Sequence, residues 1–198
     1  MSDPWPFTQW GLDIVVPFPF AIRQLKFLVV GIHYFTKWVE AKQLATITEK
    51  NVWSFIWESI IYGFGIPRVF VSDNGKQFDN NAFRNFCQYL GIKNHYSSPS
   101  YPQANGQVEV TNRSLLKMIK TWLEGVKGIW PDELPSVLWA YRMMTFTPTR
   151  ETHFFLVYGH EAIIPVEVGL TSYRVAHHNE EGMRLQLNLL DEVIATVE

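Results

Sequence analysis

Three acidic residues stand where a metal-dependent reaction could use them. Asp73 ends the apolar run "RVFVSDNG", and Glu109 opens the helical stretch that follows "PQANG", with thirty-five residues, positions 74 to 108, between them. Asp13 lies in a second strand-like run, "WGLDIV". Carboxylates on separate elements can share hard divalent ions such as Mg²⁺, which bind one or two protein carboxylates and keep sites for water and phosphate oxygens. Two such ions about 3.5–4 Å apart activate an attacking oxygen and stabilise the leaving one in an in-line phosphoryl displacement. A lone Asp at a strand end is more often a turn or cap residue. The trio in its setting carries the information.

Composition narrows the partners. The chain has 198 residues, 47% hydrophobic content and 15% aromatic residues, eight of them Trp, enough to bury a sizeable core in one domain with an appendage. A formal charge of −2 gives no whole-molecule attraction to nucleic acid, so any DNA contact must come from a local patch. The single cysteine, Cys87, excludes an internal disulfide and points to a reducing compartment. The six histidines show no metal-binding helical spacing. "MSDPWPF" does not read as a secretory leader, and no apolar run nears the roughly 20 residues of a spanning helix, so a soluble intracellular protein is expected.

The elements that must position the acids follow from periodicity. "GLDIVVPF", Phe27 to Ile32 and Phe35 to Ala41 read as three consecutive strands in an antiparallel meander. Thr48 reads as a helix N-cap before Val52, Phe55, Ile56 and Ile60 at helical spacing, and Gly63 and Gly65 stop the run. "IPRVFVSDNG" is a buried strand that carries Asp73 to its carboxyl end, where α/β sheets place their chemistry, and Asn74-Gly75 turns the chain. Asp79 or Asn80 caps a helix with an apolar face of Phe83, Phe86, Cys87 and Leu90. "KNHYSS" forms a last short strand, and "PSYPQANG" a loop.

The helix from Glu109 places Leu115, Ile119, Trp122 and Leu123 on an apolar stripe. Glu109, Arg113, Lys117 and Lys120 share the other ridge, at spacings that string three cations away from the acid as phosphate contacts would need. A solvated face with a Glu–Arg pair is the bland alternative. A second helix runs from about Pro131 through "DELPSVLWAYRMM", and "RLQLNLLDEVIATV" is a candidate terminal helix.

Taken together, "WGLDIV", "HYFTKWVEAKQLATITE", "VSDNGKQFDNNAFRNFCQYLGI", "YSSPSYPQANGQVEVTNR" and "LWAYR" resemble the catalytic core of retroviral-type integrases, most closely those of plant gypsy-type LTR retrotransposons, from about Trp5 to Pro165. The resemblance implies an α/β, RNase H-like fold: a five-stranded mixed sheet flanked by helices, here over residues 3–160 with a C-terminal extension over 161–198. It maps the family's catalytic, metal-holding triad onto Asp13, Asp73 and Glu109, with two Mg²⁺ or Mn²⁺ ions. It implies 3′-end processing of element DNA, strand transfer into target DNA, a homo-multimer on the DNA ends, and work in the nucleus. Asn74, Lys76, Gln103, Asn105, Gln107, Arg113, Lys117 and Lys120 are the positions expected to meet DNA, with Tyr101 to Gln107 as the loop beside the scissile phosphate.

This sequence departs from the family pattern at four places. His33 stands where Asp commonly precedes "YF", Lys76 where "DNG-x-QF" has a small polar residue, Tyr101 in place of the loop histidine, and "RETHF" in place of "GETPF". His33 is expected to be structural and not a ligand. None of the four removes a triad carboxylate. Two other readings stay open on the residues: an RNase H-like nuclease, which hydrolyses where an integrase joins, and a non-catalytic, decayed remnant that only binds DNA or multimerises.

Overall fold

The computed structural model describes residues 7–15, 18, 21–73, 75, 77–96, 116–123 and 129–163. The chain groups into two compact units, Asp3–Leu138 and Trp139–Glu198.

The first unit is built on a five-stranded sheet in the order β3-β2-β1-β4-β5. Its strands are β1 (Gln9–Val15), β2 (Phe27–His33), β3 (Val39–Leu44), β4 (Val69–Ser72) and β5 (Lys93–Tyr96). β1, β2 and β3 form the expected antiparallel meander, whereas β4 runs parallel to β1 and β5 parallel to β4. A helix runs between β3 and β4 and another between β4 and β5, and such crossovers are what let β4 and β5 join the sheet as parallel strands. In β1 burial alternates, with Trp10, Leu12 and Ile14 inside and Gln9, Gly11, Asp13 and Val15 half-buried. Central β2 is buried on both faces, since Leu28, Val29 and Val30 are all fully enclosed.

β3 starts four residues later than the expected Phe35. The reason is local: Thr36 N donates to His33 Nδ1 at 3.3 Å, and Lys37 N donates to the His33 carbonyl at 3.0 Å. Side-chain and backbone bonds together spend residues 34–36 on a turn, and Lys37 adopts φ +56° to leave it.

Thr48 accepts a hydrogen bond from Asn51 N and starts α1, which runs as an α-helix over Glu49–Phe55, widens to a π-helix over Ile56–Ile61 and closes with the turn Tyr62–Phe64. Gly65, at φ +84°, ends it. α1 lies close on the sheet: a side-chain carbon at Gly31 would come 3.0 Å from Ile60 Cδ1 and 3.5 Å from Phe55 Cζ. α2 (Asn81–Tyr89) is capped by Asn80, whose Oδ1 accepts from Phe83 N at 2.7 Å, and buries Phe83 and Cys87. Burial pushes the Cys87 thiol up to about 12, the inert core cysteine expected.

Residues 116–123 form α3, with Leu116, Ile119 and Leu123 buried. Trp122, assigned to the apolar stripe from spacing, is instead 36% exposed. The buried face is centred on positions 116, 119 and 123, which turns Trp122 outward by the 100° that one residue adds. Leu115 lies outside the described residues. α4 (Trp130–Arg142) has Asp132 and Glu133 in its first turn, where the helix dipole favours acids. Trp130 is fully buried and stacks on Phe18 with ring centroids 4.6 Å apart.

The second unit takes the last turn of α4, a two-stranded antiparallel hairpin of β6 (Thr145–Phe146) and β7 (Glu151–Thr152), and α5 (His153–Tyr158). His153 is buried and stacks on Tyr141 at 4.5 Å. The candidate terminal helix falls outside the described residues. Among the described residues no helix is long and apolar enough to cross a membrane.

Candidate active site

β1 and β4 are parallel neighbours in the register Gln9–Val69, Trp10–Phe70, Gly11–Val71, Leu12–Ser72. Asp13 and Asp73 are the next residues of the two chain segments, Asp73 lying just past the end of β4. By the alternation of β1, Asp13 leaves the sheet on the side that carries Gly11, whose parallel partner is Val71. Neighbouring strands lie about 4.8 Å apart, which brings the two backbones within reach of one shared ion. Here β4 has ended and the chain must turn, so Asp73 is exposed while Asp13, still within β1, is half-buried.

Each carboxylate is steadied by a backbone donor. Ile14 N donates to Asp13 Oδ1 at 2.7 Å, and Gly75 N donates to Asp73 Oδ1 at 3.1 Å. The second contact explains glycine at 75: an added side-chain carbon would lie 2.8 Å from Asp73 Oδ1 and overlap the Gln77 carboxamide. Gly75 thus allows a close approach of the backbone to the acid.

Of the residues singled out from sequence, the described structure places Asp13 within β1 and Asp73 directly after β4, the adjacent parallel strand. Lys117 is exposed and Lys120 half-buried on α3, three residues apart and therefore on one side of the helix. Glu109, Asn74, Lys76, Gln103, Asn105, Gln107 and Arg113 lie outside the described residues. Among the described residues no group of three or more His, Cys, Asp or Glu side chains gathers as a metal cluster. Two hard carboxylate oxygen donors on adjacent strand ends suit Mg²⁺ or Mn²⁺, and they do not suit a metal that prefers thiolate or imidazole.

His33 is 5% exposed, its Nδ1 lies 2.8 Å from Thr36 Oγ1, and its ring rests 4.9 Å from Phe7 and 5.5 Å from Trp10. Because Thr36 N donates to Nδ1, that nitrogen is the unprotonated one. Burial, and then the nearby Lys37 ammonium, lower His33 to about 3. This is a structural histidine, as expected from sequence. Lys37 itself is buried and lowered to about 8 by desolvation; nothing in its spacing signals this, since burial of a turn lysine depends on tertiary packing.

An open cleft of about 660 Å³ lies between the start of α1 and the turn before α2, lined by Ile47, Thr48, Glu49, Lys50, Gln77 and Asn80. Thr48 and Asn80 already spend their side-chain acceptors on helix caps.

Comparison with known proteins agrees with this geometry. The profile of the "Integrase core domain" family matches residues 3–102, just over half of the 198 residues. The chain is 35% identical over 155 residues to the Gag-Pol polyprotein of feline leukemia virus, a match covering 78% of this chain and 9% of that protein. It spans between 9% and 26% of the length of the polyproteins it matches. Among solved structures it is similar to the catalytic core domain of BIV integrase, at 22% identity and TM-score 0.56, covering 75% of this chain and 91% of that one. It is likewise similar to the HTLV-2 integrase catalytic core domain in complex with magnesium, at 21% identity and TM-score 0.56, covering 75% and 95%. The five-stranded mixed sheet flanked by helices is thus the RNase H-like fold. On its sequence match the chain belongs to the integrase core domain family.

Proposed function

We propose that the chain is the catalytic core, over residues 3–160, of an integrase from a plant gypsy-type LTR retrotransposon, a polynucleotidyl transferase that processes the 3′ ends of element DNA and joins them to target DNA. The observation that carries the proposal is the register of β1 and β4, whose last pair, Leu12 and Ser72, immediately precedes Asp13 and Asp73, in a chain of the integrase core family. Glu109 completes the triad in this reading, by its spacing from Asp73.

Asp13 and Asp73 would hold two divalent ions, with Glu109 on the second, and the ions would supply Lewis-acid activation of the attacking and leaving oxygens. The chain's own part is geometry and charge. Backbone donors Ile14 N and Gly75 N bind one oxygen of each Asp and set its orientation. Arg113, Lys117 and Lys120 would take DNA backbone phosphates along the helix surface, and Asn74, Lys76, Gln103, Asn105 and Gln107 would meet DNA near the reacting phosphate. The formal charge of −2 fits a core that depends on further copies or domains for affinity, in line with a homo-multimer on DNA in the nucleus.

The test is a joining assay with short duplex ends and Mg²⁺ or Mn²⁺. Joined products from the chain, lost in Glu109→Gln, support the proposal. Products that are only cleaved favour an RNase H-like nuclease. Full joining by Glu109→Gln defeats the triad.

A further inference from the structure

The turn after Asp73 is fixed from beneath. Phe78 is fully buried, and its N–H and that of Asp79 both donate to the Gly75 carbonyl at 2.9 Å. Asn80 Nδ2 donates to the Gln77 carbonyl at 3.2 Å while Asn80 Oδ1 caps α2. The backbone around Gly75 is thereby tied to the core and to a helix start. On this base the Gln77 side chain folds back over Gly75, so that a carbon added at Gly75 would overlap its carboxamide and lie 2.8 Å from Asp73 Oδ1. One small volume above the Gly75 Cα is bounded by the carboxamide and by the carboxylate.

From this geometry we infer that Gln77 is a positioning residue for Asp73, an inference that rests on the proposed metal role of that acid. The Gln77 side chain fills the space over Gly75 beside the Asp73 carboxylate and so limits its other orientations, which keeps Asp73 Oδ1 on the Gly75 N–H. The carboxylate then presents its other oxygen in one orientation. A ligand already ordered by its surroundings gives up less rotamer freedom when a cation binds, and so binds it more tightly. Gln77 also lines the open cleft and is only half-buried, so truncating it leaves the core packing intact.

The test uses the full chain, Mn²⁺ alone as the probe, and the substitutions Gln77→Ala and Gln77→Met. Gln77→Ala should weaken Mn²⁺ binding by about 10-fold, as removal of outer-shell partners does. It should also speed hydrogen exchange at the Gly75 amide without moving the thermal midpoint. Gln77→Met, which refills the volume over Gly75, should restore both. Unchanged Gly75 exchange in Gln77→Ala, or a methionine that restores neither property, overturns the inference. If the unsubstituted chain binds no Mn²⁺, the metal role of Asp73 fails, and the exchange measurement still decides whether Gln77 positions it.

Discussion

Asp13 and Asp73 each directly follow the last paired residues, Leu12 and Ser72, of two adjacent parallel strands. Like charges directly across a strand pair repel. Asp73→Asn keeps an oxygen for the Gly75 N–H and removes the repulsion. It is expected to stabilise the metal-free protein by about 0.5 kcal/mol, in a urea titration, while abolishing any stabilisation by Mn²⁺. A substitution that destabilises the metal-free protein would mean the pair is not repulsive.

The buried His33 makes an acid-stability prediction. Its folded value, about 3, lies below the ordinary 6.5, so between those limits the unfolded chain binds more protons than the folded one. Stability is therefore unaffected by this group above pH 6.5 and falls as pH drops toward 3, at up to roughly 1.4 kcal/mol per pH unit. His33→Asn can still accept from Thr36 N and has no proton to take up. Its denaturation midpoint should lose this slope between pH 6 and 4, a range chosen within those same limits. An unchanged slope would assign the acid sensitivity to other groups.

Packing under the sheet gives a third expectation. Gly31 faces Ile60 Cδ1 at 3.0 Å from the position a Cβ would take, and Ile60 is itself fully buried. Gly31→Val should cost about 2 kcal/mol by overpacking, read as a lowered urea midpoint. A neutral result would show that the π-helical segment of α1 shifts to make room.

The cap of α2 is the fourth. Asn80→Ala removes the 2.7 Å acceptor for Phe83 N and the tie to the Gln77 carbonyl, and should cost about 1 kcal/mol, again read by urea titration. Loss of the cap without loss of stability would show that water serves the helix start equally well.

What was legible in the sequence was the part governed by period and punctuation. The strand-type run of β1, the apolar run ending at Asp73, Thr48 as a cap, a cap at Asp79 or Asn80, which the structure gives to Asn80, and the N-terminal acids of α4 all have local causes and are seen in the structure. The boundary of β3 was not legible, because it is set by the His33 side chain bonding within its own turn. Trp122 was misplaced because an apolar residue next to a stripe satisfies the same spacing whether it packs or not. α5 was hidden because six residues are less than two turns, too short for periodicity to register, although Thr152 caps it by accepting from Phe155 N at 3.0 Å. The adjacency of β1 and β4, whose last pair Leu12–Ser72 precedes Asp13 and Asp73, is a tertiary fact, readable from sequence only through resemblance to a family.

The central claim is that Asp13 and Asp73 act as one metal-holding pair, and calorimetric titration of the chain with Mn²⁺ tests it most directly. The account predicts saturable binding to the unsubstituted chain that is lost in Asp13→Asn and in Asp73→Asn, each folded as judged by circular dichroism. Binding that survives undiminished in both substituted proteins would contradict it.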